Sequence, residues 1–378
     1  MSGMNGNWSA KRCLVVTPAS NYGSWTWLED MFRNSGSDIS WRVITYGNPA
    51  LTLPNVEIIA LPGGEYIKLG RFMSRRGLRW LNILYSFPLG LICFFQVLRF
   101  RPQAILCNGF ASSAFPSVVG RLTSTKVVVA FHSHTGALGE AWRRIIKWFS
   151  YVCDLVIVNS KGSEDDLRDL VESRKLRVVG HWADKVFFDQ PIGDEMTHHP
   201  INILYVGRLD SEKCLQFVRV MSTLSDGKLF KATVVGSGEL EDRVRNLVGV
   251  DWYPYIEGRN EMAILMSQST LVWAPADTTY LSRPGIEALA TGIPVVVTDI
   301  PALGSKIGTN ERVPKELLPT GIGWVVDGDD DREVIDLFWK VWGLGIPVSQ
   351  REACRSFAAA HHGTQIVDSL VDAIFEKS

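Results

Sequence analysis

Two doubly wound α/β domains in one chain are what this sequence predicts, and three observations predict them. The chain has 378 residues, more than a single hydrophobic core ordinarily serves. Short continuous apolar runs recur along it, separated by segments of helical length, the pattern of parallel strands buried on both faces. A polar stretch, DQPIGDEMTHHP at 189–200, carries Pro and Gly and no apolar period, and strand–helix alternation restarts after it. The expected organisation is therefore a first domain over 1–188, a linker over 189–200, a second domain over 201–350 and a closing helical segment over 351–378 that packs back on the first domain.

In the first domain, CLVVTPA (13–19) reads as a strand, followed by Gly23 and a helix from Trp25. WRVITYG (41–47), VEIIAL (56–61), QAILCNG (103–109), KVVVAFH (126–132), DLVIVNS (154–160) and KLRVVG (175–180) are the further strands. Ser160, with acidic residues in the turn after it, caps a helix over 160–170. In the second domain the strands are NILYVG (202–207), KATVVG (231–236), VDWYPY (250–255), TLVWAPA (270–276) and GIGWVVD (321–327). Helices are expected over 214–224, 240–247, 260–268 and 329–341, with one or two more over 350–377.

Bulk composition excludes several classes. The chain is 46% hydrophobic and 21% charged, as soluble globular proteins are. A net charge of −1 gives no electrostatic basis for general nucleic-acid binding. Cys13, Cys93, Cys107, Cys153, Cys214 and Cys354 are scattered without metal-ligand spacing, so they read as reduced core thiols of a reducing compartment. The opening MSGMNGNWSAKR lacks the apolar centre of a signal peptide, and a cytoplasmic location is expected. Residues 80–98 carry no charge but include Asn82, Ser86, Pro88, Gly90 and Gln96; a helix packed on a sheet is expected there, not a membrane span. The basic and aromatic stretches 71–79 and AWRRIIKWF (141–149) add the expectation of a peripheral membrane contact. Nothing in the sequence speaks to oligomeric state.

The most informative stretch is SRPGIEALATGIPVVVTD (282–299). Ser282 suits a helix N-cap, Pro284 the first helical turn, and Gly292 the left-handed position after the helix. Pro294 then opens a buried strand of Val295, Val296 and Val297. This puts a helix N-terminus at the C-terminal edge of a parallel sheet, where anionic nucleotides bind. Glu287 beside an anion site needs a separate partner, and a ribose would give it one.

YVGRLDSEKCLQFV, VVGSGELEDRV, LVWAPAD…GIEALATGIPVVVTD and GIGWVVDGDD, in this order and spacing, resemble glycosyltransferase family 4. VVVAFHSHTG, DLVIVNS and HWADKVFF resemble its first half more loosely. The resemblance implies a GT-B fold, two Rossmann-like domains facing across a cleft, and transfer of a hexose-type sugar with retained configuration. It implies a nucleotide-sugar donor of UDP or GDP type on the second domain and a glycan or lipid-linked acceptor on the first.

Arg208 and Lys213 follow the first strand of the second domain. Both can reach a diphosphate at the sheet edge, where fixed cations stabilise the charge that develops on the leaving group. The plainer alternative is a pair of surface charges matched by Asp210 or Glu212. The resemblance makes Arg208, Lys213 and His132 the catalytic candidates, with His134 nearby on the acceptor side. Glu287 matches the second acid of the family's Glu-x7-Glu pattern, and the first acid falls on Thr279, with Asp277 two positions away. Gly207, Gly236, Gly238, Tyr255, Ser282, Gly285 and Ile286 complete the expected donor site. Gly23 and Tyr22, in a loop that matches the family's glycine-rich first loop only in part, are placed on the acceptor side. The acidic run Asp327, Asp329, Asp330 and Asp331 reads as a solvated loop and helix cap, so neither a metal nor a cofactor is expected. Two rivals are carried: a nucleotide-sugar epimerase on the same fold and a non-catalytic nucleotide-sugar-binding subunit.

Overall fold

The computed structural model describes residues 11–18, 23–47, 49, 51–62, 86–131, 140–193, 200–224, 228–256, 258–275, 281–299 and 318–376. The chain divides into two compact units, Met1–Gly180 with Val367–Ser378, and His181–Ile366.

The first unit is built on β1 (Lys11–Thr17), α1 (Gly23–Asn34), β2 (Ile39–Tyr46), β3 (Val56–Leu61), α2 (Ser86–Phe100), β4 (Ala104–Asn108), α3 (Phe110–Thr123), β5 (Lys126–Phe131), α4 (Glu140–Val152), β6 (Leu155–Val158), α5 (Lys161–Leu167) and β7 (Leu176–Val178). Its seven strands form one sheet in the order β3-β2-β1-β4-β5-β6-β7, and every pairing is parallel. Leu14, Val15 and Val16, which pair with β2 and β4, are fully buried. That explains why β1 is a continuous apolar run and not an alternating one. Ser160 caps α5 as expected, its Oγ accepting from Ser163 N–H at 3.1 Å. In α2, Leu89, Cys93 and Val97 join the core, and Gly90 packs so tightly on α3 that a Cβ there would come within 2.4 Å of Phe115 Cβ. Among the described residues no helix is long and apolar enough to cross a membrane; residues 71–85 lie outside them. In α4, Ile146 and Phe149 face the core while Trp148 and Tyr151 are exposed.

The second unit contains α6 (Lys185–Phe188), β8 (Ile201–Val206), α7 (Ser211–Leu224), β9 (Phe230–Val235), α8 (Glu241–Arg245), β10 (Val250–Tyr253), α9 (Arg259–Ser267), β11 (Leu271–Trp273), α10 (Arg283–Ala290), β12 (Val295–Asp299), β13 (Gly323–Asp327), α11 (Asp331–Leu344) and α12 (Val348–His362). Its six strands run in the order β10-β9-β8-β11-β12-β13, again all parallel. Apolar layers cover both faces of the sheet. β10 stops at Tyr253, two residues short of the expected end, because Pro254 has no amide to continue the ladder. The helix expected from 329 begins at Asp331. Asp330 is its N-cap, accepting from Arg332 and Glu333 N–H, and Glu333 Oε2 accepts from Asp327 N–H at 2.8 Å. A last helix, α13 (Gln365–Phe375), returns to the first unit. Lys126 Nζ donates to the carbonyls of Ala373 and Glu376 at the helix's C-terminal end, and Arg177 pairs with the Glu376 carboxylate at 3.0 Å.

Candidate active site

Numbered by appearance in the second unit, the strands lie in the order 3-2-1-4-5-6. Consecutive connections leave β8 and β11 in opposite directions, so a crevice opens at the C-terminal edge between them. The loop after β8 carries Gly207 and Arg208, and the segment after β11 leads into α10 with Glu287. The topology thus brings two of the sequence's separate signals to one edge of one sheet.

The loop after β8 is stitched to the loop after β9. Gly207 N–H donates to Val235 O at 3.0 Å, Leu209 N–H to Ser237 O at 3.1 Å, and Leu240 N–H to Leu209 O at 2.8 Å. The two backbones are so close that a Cβ on Gly236 would sit 1.8 Å from Gly207 O and one on Gly238 2.4 Å from Leu209 O. Both glycines are therefore explained by loop-on-loop packing. Tyr205 Oη donates to Arg208 O at 3.0 Å, so the Arg208 backbone is held while its side chain, 71% exposed, pairs with Asp210 at 3.0 Å. The plainer alternative of a charge matched by Asp210 is what the side chain does here.

In α10, Ser282 has the N-cap backbone conformation (φ −63°, ψ 154°) but its side chain makes no cap bond, and among the described residues the buried Oγ has no hydrogen-bond partner. The expectation of a side-chain cap is corrected: Pro284 at the helix start supplies no amide, and Ile286 N–H closes the first turn on Ser282 O at 3.1 Å. Ile286 belongs to the same first turn. Its side chain is part of the apolar core and its amide is committed to the helix. Gly285 is buried, and a Cβ there would meet Ala274 Cβ at 3.2 Å, so the helix start lies close on the end of β11. Gly292 has φ +80°; its N–H reaches Leu289 O and Ile293 N–H reaches Ala288 O, the paired bonds of a left-handed helix stop. From α12, Arg351 donates to Gly292 O and Arg355 to Ala290 and Thr291 O. These cations satisfy carbonyls at the C-terminal end of α10.

Glu287 is nearly completely buried. Its Oε1 accepts from Arg259 Nη2 at 2.7 Å and Arg283 Nε at 2.9 Å. Burial alone would push the carboxyl toward protonation; Arg259 and then Arg283 outweigh it and hold the pKa below the usual carboxylate value. Arg259 also stacks over the Phe187 ring at 4.7 Å. Sequence reasoning missed both arginines. Arg283 had a local signal, four residues before Glu287 on one helix. Arg259, from α9, had none.

Tyr255 is exposed on the loop after β10, and Gly23 is the first residue of α1. Tyr22, His132, His134, Asp277 and Thr279, and the side chain of Lys213, lie outside the described residues. The acidic run after β13 spends its oxygens on backbone amides and on Arg219, which Asp331 meets at 2.7 and 2.8 Å. Among the described residues no group of His, Cys, Asp or Glu could hold a metal ion.

Two parallel Rossmann-like sheets, the second with a cation-bearing loop and an acid-bearing helix at its switch point, define a two-domain α/β protein of GT-B type. Residues 43–185 match the family described as Glycosyltransferase Family 4, and residues 200–336 match Glycosyl transferases group 1. The chain belongs to the group 1, family 4-like glycosyltransferases. Solved structures share the fold across nearly the whole chain. HepE of Anabaena, in complex with UDP and glucose, superposes with a TM-score of 0.69 at 13% identity, over 96% of this chain and 98% of that one. Sucrose-phosphate synthase of Thermosynechococcus elongatus gives 0.67 at 15% identity over 96% and 98%, and the trehalose-6-phosphate synthase OtsA 0.71 at 10% over 97% and 100%. An uncharacterised 41.2 kDa protein in the cps region of Klebsiella pneumoniae is 20% identical over 176 residues, 44% of this chain and 43% of that relative's length.

Proposed function

We propose that the protein transfers a hexose-type sugar from a nucleoside-diphosphate sugar to an acceptor hydroxyl with retention of configuration, in glycan, polysaccharide or glycolipid assembly. The observation that carries this reading is the convergence of the Arg208 loop and the Glu287 helix on one switch-point crevice. HepE, which has the same fold, has been crystallised with UDP and with UDP-glucose.

In this reading Arg208 and Lys213 bind the diphosphate. A surface ion pair is worth about 0–1 kcal/mol, so a doubly charged diphosphate readily draws Arg208 from Asp210. Glu287 accepts hydrogen bonds from the ribose hydroxyls. The bond between sugar C1 and the diphosphate oxygen breaks while the acceptor oxygen attacks C1 from the same face. The acceptor's proton passes to the departing diphosphate, whose growing charge the two cations stabilise. His132, by the family resemblance, contacts the donor sugar. The test is transfer from radiolabelled UDP- and GDP-sugars to extracted acceptors. Product formed without acceptor would instead favour the epimerase, and donor binding with neither transfer nor hydrolysis would favour the binding subunit.

A lipid-linked acceptor has support from α2. Phe87, Leu91, Phe94, Phe95 and Leu98 are all exposed, and their spacing puts them on one stripe of the helix. A membrane surface of anionic lipid accommodates such a stripe beside cationic side chains. Flotation with anionic vesicles checks this contact, and recovery only in the lipid-free fraction would overturn it.

A further inference from the structure

Arg283 sits four residues before Glu287 on the same helix. Arg283 moves with the acid and cannot hold it relative to the rest of the domain. Arg259 reaches it from α9, a different helix. Its guanidinium lies over Phe187, a fully buried side chain of α6 in the core beneath the site. Asp184 caps that helix by accepting from Val186 N–H at 3.0 Å. Glu287 is thus tied through Arg259 to a third, independent element. Both arginines meet the same oxygen, Oε1.

We propose that Arg259, braced by Phe187, is a positioning residue that fixes the Glu287 carboxylate with one oxygen committed and the other held for the ribose of the donor, and so sets a preference for ribonucleotides over 2′-deoxyribonucleotides. The inference rests on the donor-site reading above. A carboxylate pinned at one oxygen from two sides loses the freedom to rotate, so its second oxygen meets a hydroxyl pair with little ordering left to pay. Phe187 contributes a flat apolar face that favours the planar guanidinium over a lysine.

The test is calorimetry at neutral pH with UDP, GDP and their 2′-deoxy forms, on the wild type and on Arg259→Met, Arg259→Lys, Phe187→Leu and Glu287→Gln. The wild type is expected to favour the ribo form by about tenfold or more, the scale of one hydrogen bond to a charged group. Arg259→Met should bring the ratio to within about twofold while the variant still binds the 2′-deoxy forms, which also shows that it is folded. Arg259→Lys and Phe187→Leu should fall between. A wild-type ratio retained in Arg259→Met overturns the proposal. A ratio retained in Glu287→Gln overturns the ribose assignment while diphosphate binding stands. A wild type that binds none of the four overturns the donor reading and this inference together.

Discussion

Arg208 and Glu287 leave adjacent strands of one sheet, yet they sit in opposite physical environments. Arg208 is mostly exposed and pairs at the surface with Asp210; its backbone is fixed and its side chain can exchange partners at little cost. Glu287 is buried and held at one oxygen by two arginines. A group that must follow a departing charge benefits from being able to rearrange. A group that must recognise a fixed hydroxyl pattern benefits from being set in advance. In the proposed reading one site combines an adaptable arm with a rigid one.

The sharpest way to break this comparison is to remove Glu287. Glu287→Ala leaves Arg259 and Arg283 buried without their acid, and an expected loss of about 3–5 kcal/mol of stability should appear in urea unfolding; a change below about 1 kcal/mol would place Glu287 with the surface pairs. Arg208→Ala should leave the unfolding midpoint unchanged but cut turnover by at least about 10²-fold in a sugar-transfer assay, and unchanged turnover would remove Arg208 from the chemistry.

The pH dependence separates the two arms next. Glu287 has its folded pKa below the unfolded value, so its stabilisation is present at neutral pH and is lost as pH falls below the unfolded carboxylate value of about 4.3. His362 is half-buried, and desolvation lowers its pKa below the usual histidine value. Stability should therefore begin to fall already below about pH 6.5, and His362→Gln should remove that upper decline only. Thermal melts across pH read both windows. The smallest expected effect is at the cysteines. Burial raises Cys93 to about 12 and Cys153 to about 11, and all six are free and buried, so iodoacetamide should label none of them in the native protein and all six after unfolding.

Much of the fold was legible in the chain because parallel strands buried on both faces must be apolar along their length. Val295, Val296 and Val297 announce their strand with no tertiary information, and Gly292 announces its left-handed turn. Boundaries were less legible where a single group ended an element, as Pro254 does for β10 and Asp330 for α11. Within the site, Arg208 and Glu287 stood out through their neighbours in sequence. The glycines of VVGSGE also stood out, but their physical reason is loop packing, which a sequence read one segment at a time cannot supply. Arg259 carried no local signal at all.

The linear sequence by itself determined two parallel α/β units and the helix with its left-handed stop, because periodicity and turns are local physics. Only the tertiary structure decided that Arg208 lies exposed beside Asp210, that Ile286 belongs to the core, and that Arg259 crosses from another helix to share Glu287 with Arg283. Those outcomes depend on burial and on partners far apart in the chain, and the free energy of a charge is set by where it is buried and what it meets there.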